Sequence, residues 1–277
     1  MSQYAIEIRG LSHNYEPLHP AVHDVTLSLR QGTWVAICGQ NGAGKTTLVK
    51  HLNGLLKPTS GTVMVDGLDT RQVSVAELAR HVGFVFQNPD HQIFCATCRE
   101  EISFGPRNLG EPDKVIHART EEALAWFDLV PYAEHPPALL SYGQRRLVAL
   151  AAVLTMQPSI LVLDEPTVGL DAASAEGLLQ RIQDIHRRGC TIVLVTHDIA
   201  LAARYAQEMV IMAQGRVLLH DRTRPVLAQP EILQRADLEP PQITHLCQSL
   251  SHLGLPKDAT TVQEAAKAIL AQLRRLP

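Results

Sequence analysis

Short, uninterrupted apolar runs alternate along this chain with longer segments in which apolar residues recur every three or four positions. A short continuous run is typical of a strand buried on both faces, and the longer spacing is typical of a helix with one buried face. The strands predicted in this way are 34–38, 82–86, 160–163, 191–195 and 209–213. The helices predicted between them are 74–81, 142–156, 172–188 and 198–206. This alternation predicts a three-layer α/β core.

The N-terminal part of the chain predicts further strands outside this alternation. Residues 4–9 alternate between apolar and polar side chains, which is the pattern expected of an edge strand. Residues 23–38 indicate two strands separated by a turn at Gly32, and residues 60–67 indicate a short strand between glycines. We therefore expect several strands ahead of the alternating core.

Two other regions are predicted to be helical. Between the strand at 82–86 and about residue 140, the pattern predicts helices at 97–103 and 112–127. The strands stop after residue 222, and the remainder is helical with breaks at prolines. The predicted units are a core domain at 1–222, a helical subdomain at about 88–158 within it, and a small helical C-terminal domain at 223–277.

The composition indicates an ordinary globular protein. The 277 residues are 45% hydrophobic and 19% charged, which is enough to bury a substantial core. A net charge of −3 gives no support for a nucleic-acid partner. The longest apolar stretch, Leu147 to Met156, is too short to span a bilayer, and the N-terminal residues lack a signal-peptide pattern. We expect a chain that does not itself span a membrane.

The five cysteines do not form a recognisable site. Cys95 and Cys98 make a lone C-x-x-C pair, without a second pair or a nearby histidine to complete a zinc site. We therefore favour free thiols in a reducing compartment over a metal centre.

The residues that follow the first buried strand carry a clear chemical signal. Residues 39–46 read Gly-Gln-Asn-Gly-Ala-Gly-Lys-Thr, which fits the pattern G-x-x-x-x-G-K-[ST]. Apolar residues then recur at helical spacing through 48, 49, 52, 55 and 56. In this strand–loop–helix context, bare N–H groups bind phosphates, Lys45 reaches the β- and γ-phosphates, and the Thr46 hydroxyl binds Mg²⁺. The alternative is an ordinary glycine turn, which the flanking elements disfavour.

A second signal is a pair of acids at the end of another buried strand. Asp164 and Glu165 directly follow the strand at 160–163, and ligands bind at the carboxyl edge of open α/β sheets. Asp164 suits Mg²⁺, which prefers oxygen ligands, and Glu165 suits a general base that polarises an attacking water. The alternative is a strand that ends in two solvated acids.

A third signal is a second helix start of the kind that binds anions. Ser141 is a good N-cap residue, Gly143 follows it, and an apolar helical face lies behind them. One nucleotide does not need two phosphate sites. If two chains meet head to tail, however, each can complete the site of the other.

At this point the chain closely resembles the ATP-binding-cassette ATPases. The signature of that family is usually Leu-Ser-Gly-Gly-Gln, and this chain has Leu140-Ser141-Tyr142-Gly143-Gln144, so that Tyr142 is the departure. The resemblance covers about residues 4–221. It implies an α/β P-loop cassette core with a helical insertion, an antiparallel β subdomain and a small C-terminal helical domain.

The resemblance also implies a role for individual residues, in the order in which the motifs fall along the chain. Tyr15 matches the residue that stacks on adenine, Gln87 the glutamine loop, Gly169 to Asp171 the D-loop, and His197 the switch histidine. The implied catalytic residues are Glu165, His197 and Gln87. The implied Mg²⁺ ligands are Thr46, Gln87 and Asp164. The implied ATP contacts are Tyr15, Gly39, Asn41, Gly42, Ala43, Gly44, Lys45, Thr46, Thr47, Ser141, Gly143, Gln144 and Asp171.

Within that family, the chain is similar to the ATPase subunits of energy-coupling factor transporters, including the cobalt and nickel branch. The likeness lies in a short helix near 89–94 and in the helical tail, which helps to hold the dimer in that group. It implies an ATP-hydrolysing subunit at the cytoplasmic face of the membrane, peripheral to a transmembrane coupling subunit and a substrate-binding membrane subunit. The partner ATPase is an identical chain or a close paralogue.

Two other functions are compatible with a cassette. A soluble ATPase of DNA repair, translation or cluster assembly is one, but no coiled-coil insertion, basic arm or second cassette is visible. A nucleotide-binding switch without hydrolysis is the other, and Glu165 and His197 argue against it. The cargo, whether cobalt, nickel or a vitamin, is not encoded in this chain; the thirteen histidines are scattered and favour metal ions only weakly.

Overall fold

The computed structural model describes residues 3–16 and 19–273. Its strands are β1 (Tyr4–Glu16), β2 (His19–Arg30), β3 (Trp34–Cys38), β4 (Ser60–Val65), β5 (Leu68–Asp69), β6 (Val82–Val85), β7 (Ile160–Asp164), β8 (Thr191–Thr196), β9 (Glu208–Ala213) and β10 (Arg216–Arg222). Its helices are α1 (Lys45–Lys50), α2 (Val75–Leu78), α3 (Cys98–Asn108), α4 (Asp113–Trp126), α5 (Tyr142–Leu154), α6 (Ala172–Arg187), α7 (Ile199–Tyr205), α8 (Thr223–Leu227), α9 (Pro230–Arg235), α10 (Gln242–Ser249) and α11 (Val262–Leu273).

The five predicted apolar runs and β10 form one six-stranded sheet in the order β10-β9-β3-β8-β7-β6. Strands β9, β3, β8, β7 and β6 pair in parallel, and β10 pairs antiparallel with β9 at one edge. Because successive side chains of a strand point to opposite faces, a strand buried on both faces needs apolar residues throughout. Ile160 and Val162 of β7 enter one core, whereas Leu161 and Leu163 enter the other.

A second, antiparallel sheet has the order β2-β1-β4-β5 and covers one face of the first sheet. The prediction of an edge strand at residues 4–9 is wrong, since β1 lies between β2 and β4 and extends to Glu16. Glu7, for example, is in register with Ser28 on one side and with Met64 on the other. The alternating pattern reports one buried and one solvated face, and an inner strand of an antiparallel sheet has the same pattern.

Helix α1 ends earlier than its apolar spacing indicates. It stops at Lys50, and turns follow it, with Gly54 at φ 74°. Leu52 is nevertheless fully buried, because the turn carries it into the core beneath the antiparallel sheet. The spacing of these leucines therefore reports burial that a turn satisfies as well as a helix.

The helical insertion consists of a 3₁₀ turn at Pro89–His91 followed by α3, α4 and α5. Helix α3 runs beyond its predicted end at residue 103 and contains Pro106. Proline has no N–H to donate to the carbonyl of Ile102, one turn earlier. The Thr155 hydroxyl donates to that carbonyl instead, at 2.8 Å, so the buried acceptor is satisfied and the helix continues.

The regular elements of the C-terminal segment are helices in the part that the structure describes, with breaks around Pro240, Pro241 and Pro256. Helices α8 and α9 pack on the main core through Val226, Leu227 and Leu233, whereas α10 and α11 surround a small cluster of their own that includes Cys247 and Ala265. Within the described residues, no helix is long and apolar enough to cross a membrane. The five cysteines form no disulfide with one another.

Candidate active site

The glycine loop lies between β3 and α1, at the carboxyl edge of the parallel sheet. Gly42 and Gly44 have φ values of 83° and 93°, which a residue with a Cβ atom adopts only with strain. A Cβ atom on Gly39 would lie 2.4 Å from the Met212 carbonyl oxygen, and one on Gly44 would lie 2.4 Å from that of Ala21. Glycine is therefore required for conformation at Gly42, for space at Gly39, and for both at Gly44.

The ammonium group of Lys45 is folded back into this loop. Its Nζ atom donates to the carbonyl oxygens of Gly39, at 2.6 Å, and Gln40, at 3.1 Å. The side chain is buried, and burial lowers its pKa, although the carboxylates of Glu165 and Asp164 partly oppose that shift. The loop therefore holds its cation at the floor of a cavity, where phosphate oxygens can reach it.

Asp164 lies at the end of β7, within reach of the loop. Its Oδ2 atom accepts a hydrogen bond from the Thr46 hydroxyl at 2.9 Å. Burial raises the pKa of Asp164, and the hydrogen bond from Thr46 lowers it by less. Its Oδ1 atom is buried and has no hydrogen-bond partner among the described residues. An unpaired buried carboxylate oxygen beside a threonine hydroxyl fits the oxygen-ligand requirement of Mg²⁺.

Glu165 is held in an uncommon backbone conformation beside Asp164. Its φ is 48°, a left-handed value that costs a non-glycine residue of order 1–3 kcal/mol. Its N–H donates to the carbonyl of Val195 on the neighbouring strand, at 2.9 Å. The Oε1 atom lies 2.9 Å from Nδ1 of His197, while the buried Oε2 atom has no partner among the described residues. The carboxylate is thus fixed at one oxygen and available at the other.

Lys45, Thr46 and Glu165 line one cavity of about 310 Å³ at the carboxyl edge of the sheet, and Asp164 adjoins it through its bond to Thr46. Its lining brings together residues from four separate parts of the chain. The lining residues are Ala21, Asn41, Gly42, Ala43, Gly44, Lys45, Thr46, Thr47, Gln87 and Glu165. Apart from Ala21, all of them are residues singled out from the sequence, and His197 joins them through its contact with Glu165.

Tyr15 lies at the side of this cavity. Its hydroxyl is 3.3 Å from Oγ1 of Thr47, and the side chain is 60% exposed, so that its ring is accessible to a flat ligand. His13 packs edge-on against the Tyr15 ring at 4.9 Å, and His51 packs edge-on against His13 at 4.8 Å. His51 in turn hydrogen-bonds the Thr47 carbonyl at 2.8 Å. Neither histidine was predicted from the sequence. His13 lies two residues before Tyr15 on β1, so the alternation of a strand was an available signal for it, whereas only the fold brings His51 beside His13.

The remaining predicted residues lie outside this cavity. Ser141 caps α5 and forms a capping box with Gln144, in which each side chain bonds the backbone of the other residue. Ser141, Gly143 and Gln144 line a separate cavity of about 500 Å³. Asp171 caps α6 through the N–H of Ser174 at 2.9 Å. Within one chain, the structure therefore does not bring these four residues to the phosphate loop.

The sequence analysis also missed Arg146, which is 1% exposed. Its guanidinium donates to the backbone carbonyls of Glu165, at 2.9 Å, and Gln87, at 2.7 Å. It also donates to the Tyr142 hydroxyl at 2.8 Å. One signal was available: Arg146 follows Tyr142 by four residues, so the two side chains share one helix face.

Known proteins share this arrangement. A family model described as ABC transporter matches residues 22–168. The chain is 36% identical to the energy-coupling factor transporter ATP-binding protein EcfA2 of Clostridium perfringens, over 98% of this chain and 99% of that protein. It is 42% identical to the cobalt import ATP-binding protein CbiO of Syntrophus aciditrophicus, over 90% of each. The solved structure of cbiO1 from Clostridium perfringens, part of the ABC transporter complex cbiONQ, matches with a TM-score of 0.75 and 34% identity, covering 88% of this chain and 99% of that one.

The two-sheet core and the phosphate loop at its carboxyl edge define an ATP-binding cassette. More particularly, the chain belongs to the ABC transporter family, as an ATP-binding subunit of the energy-coupling factor type. The predicted fold class is confirmed, and the protein is an ATPase that binds ATP. The domain boundaries and the roles of individual residues stay predictions.

Proposed function

We propose that this ATPase powers a membrane importer of the energy-coupling factor type, from the cytoplasmic face of the membrane, for cobalt or nickel ions or a vitamin. The observation that carries the chemistry is the single cavity in which Lys45, Thr46, Gln87 and Glu165 converge. The cobalt import relative and the cbiONQ neighbour support the transport role.

In this proposal, the triphosphate of ATP lies in the loop at 39–47, against its N–H groups and the Lys45 ammonium. The adenine stacks on the exposed ring of Tyr15. Thr46, Asp164 and Gln87 hold Mg²⁺, which neutralises phosphate charge when bound. Phosphoryl transfer needs positioning and charge stabilisation more than covalent chemistry, and these residues supply both.

Glu165 acts as the general base in this mechanism. Its unpaired Oε2 atom accepts a proton from the attacking water, while His197 holds Oε1 in place. Gln87 lines the same cavity, at the start of the helical insertion, and reports the state of the γ-phosphate to that insertion.

The second ATPase subunit completes each site. Ser141 and Gly143 lie on a separate cavity of the same chain, so we propose that they face the γ-phosphate bound by the partner subunit. Closure of the dimer then assembles the full set of phosphate contacts, which gates hydrolysis. Leu246 of α10, Leu253 in the 3₁₀ turn that follows α10, and Val262 and Leu270 of α11 are exposed, and we propose that this part of the chain helps to hold the dimer.

The membrane partner docks beside the helical insertion. Phe94 and Phe104 are 64% and 38% exposed and pack edge to face at 4.6 Å. The Glu101 carboxylate accepts the N–H groups of Phe94 and Cys95, which fixes this loop. Exposed aromatic pairs on a rigid support are typical of interface anchors, so we propose that a coupling helix of the transmembrane subunit packs here.

Affinity purification of the full chain from the membrane fraction of its native host tests the transport role. We expect a hydrophobic, membrane-spanning subunit to copurify, and we expect Phe94→Ser with Phe104→Ser to reduce that recovery without changing the yield of the ATPase. Copurification of ribosomes or nucleic acid, with no membrane subunit, would favour a soluble cassette ATPase instead.

Uptake assays on a strain that lacks this chain separate the cargoes. Loss of radioactive cobalt or nickel uptake, restored by the wild-type chain but not by Glu165→Gln, would support a metal importer. Unchanged metal uptake with loss of vitamin uptake would assign the vitamin branch.

A further inference from the structure

Tyr142 occupies the position at which the family signature usually has glycine, and its side chain has a specific place in the structure. Its hydroxyl lies 3.2 Å from the Gln87 carbonyl oxygen and 2.8 Å from Nη2 of Arg146. Its ring packs on Gly169, where an added Cβ atom would lie 3.0 Å from the ring. The tyrosine therefore fills the space between the start of α5, the glutamine loop and the D-loop.

The buried side chain of Arg146 bonds the backbone of the same segments. Its guanidinium donates to three backbone carbonyls, those of Glu165 at 2.9 Å, Gln87 at 2.7 Å and Val168 at 3.1 Å. The planar guanidinium presents its donors in a fixed fork, so it holds its partners in one relative geometry. No ion pair of the described residues includes Arg146, and its charge is met by these carbonyl dipoles and by the Tyr142 ring, 5.2 Å away.

This contact acts on the residue whose conformation is strained. Glu165 has φ 48°. Its backbone N–H donates to the Val195 carbonyl, and its backbone carbonyl accepts from Arg146. The Glu165 carbonyl also accepts the N–H of Val168, at 3.3 Å, so loss of the bond from Arg146 leaves the peptide after Glu165 held by that longer bond alone. Displacement of a reacting group by about 1 Å can lower a rate roughly 10²-fold. The backbone contact thus bears directly on where the Glu165 carboxylate points.

We propose that Tyr142 and Arg146 form a positioning pair that sets the backbone of Glu165 and Gln87 from the signature helix of the same chain. The proposal rests on the proposed roles of Glu165 and Gln87 in hydrolysis. Neither member of the pair touches the reacting atoms. Tyr142 orients the guanidinium and shares the Gln87 carbonyl with it, and the guanidinium fixes the carbonyls on either side of the site.

The test measures kcat and KM for MgATP, and ATP affinity by calorimetry, on the purified full chain and its variants. Tyr142→Phe removes only the hydroxyl, and we expect kcat to fall about 3- to 10-fold, the scale of one typical intramolecular hydrogen bond. Arg146→Gln removes the charged fork, and we expect a fall of about 10- to 100-fold. In both variants KM and ATP affinity should stay within about twofold of wild type, since the pair does not contact the nucleotide.

Three further variants separate positioning from simple stability. Arg146→Lys keeps a cation with fewer donors, and we expect kcat between those of wild type and Arg146→Gln. The double variant Tyr142→Phe with Arg146→Gln should be no slower than Arg146→Gln alone, because the hydroxyl acts through the guanidinium. Thr120→Val deletes one hydroxyl elsewhere in the helical insertion, where it donates to the Ile116 carbonyl of the same helix, and its kcat should equal that of wild type.

The outcomes distinguish this proposal from the proposed function. If Glu165→Gln abolishes turnover while folded Tyr142→Phe and Arg146→Lys both keep the wild-type kcat, the positioning pair is wrong and the catalytic assignment stands. If Glu165→Gln itself turns over normally, both are overturned. Strictly multiplicative effects of Tyr142→Phe and Arg146→Gln would also refute the pair, because they would show that the residues act independently.

Discussion

The Oε1 atom of Glu165 lies 2.9 Å from Nδ1 of His197, although the two residues end different strands of the parallel sheet. The glutamate is buried and the histidine is half exposed, so the pair joins the interior of the site to its open side. The second carboxylate oxygen of Glu165 stays free among the described residues. One oxygen is therefore positioned by the protein and the other is available to a substrate water.

Glu165→Gln should abolish hydrolysis and leave ATP binding intact. The amide keeps the shape of the side chain but accepts a proton poorly, so we expect turnover to fall by roughly 10²-fold or more. Phosphate release measures turnover, and size-exclusion chromatography with ATP should show an accumulated dimer. Glu208→Gln is the matched control, because Glu208 makes a comparable 2.9 Å contact with His220 away from the cavity. Near-normal turnover would remove Glu165 from the mechanism.

His197→Ala should lower kcat and leave the KM for MgATP nearly unchanged. The substitution removes the partner of Oε1 and frees the carboxylate to rotate, so we expect a fall of about 10- to 100-fold in kcat. His220→Ala breaks the control pair and should have no such effect. An increase in KM at constant kcat would instead place His197 in ground-state binding.

Lys45→Ala should destroy ATP affinity while the fold survives. The ammonium is the only charged group of the phosphate loop, and charge-assisted bonds to phosphate are strong, so we expect affinity to fall at least about 10-fold. Calorimetric titration measures affinity, and circular dichroism checks the fold. Lys50→Ala, on the same helix, is the control. Unchanged affinity in a folded Lys45→Ala protein would refute the phosphate-loop assignment.

A cysteine crosslink tests the head-to-tail dimer. Asn41 and Ser141 line different cavities of one chain, so cysteines at both positions should join two chains when ATP and Mg²⁺ are present. The five native cysteines are replaced first, and nonreducing electrophoresis detects the product. Dimers that form equally well without nucleotide would not support ATP-driven closure. A bond formed only within one chain would exclude the proposed arrangement.

Acid should destabilise the protein partly through His51. Burial lowers the pKa of His51 from its ordinary value of 6.5, so the unfolded chain binds a proton more readily than the folded one. The contribution of His51 to the free energy of unfolding should therefore decrease as the pH falls below 6.5. His51→Asn keeps a donor for the Thr47 carbonyl and should flatten this dependence in urea titrations between about pH 5 and 6.5. His245→Asn, at an exposed position, should not; an unchanged slope in His51→Asn would assign the acid sensitivity elsewhere.

The convergence of the phosphate loop with Asp164 and Glu165 was predictable from the sequence. Each follows a buried run, and the carboxyl ends of parallel strands meet at one edge of the sheet. The number of neighbours of β1 was not predictable, since the pattern records which face is buried and not how many strands are paired. The end of α1 at Lys50 was missed for a similar reason, because Leu52 is buried whether or not the helix continues.

Arg146 shows where pattern reasoning stops. The family signature points to Ser141 and Gly143. An arginine close to them in the sequence is expected to be exposed to solvent, as most arginines are. Its burial depends on carbonyls from two distant segments, one at Gln87 and one at Glu165 and Val168, which only the folded chain brings together. Tyr142, which departs from the family signature, has its hydroxyl bonded to this same guanidinium.

The glycine loop is shaped by the rest of the fold as much as by its own residues. Gly44 abuts the Ala21 carbonyl of the antiparallel sheet, and the Ala43 carbonyl accepts the N–H of Gly215 in the turn between β9 and β10. The loop is therefore not a portable module. If the loop were transplanted with only its own strand and helix, it would lose the contacts with Ala21 and Gly215. Nucleotide binding therefore constrains the residues of the antiparallel sheet and of that turn, although they lie away from the phosphates.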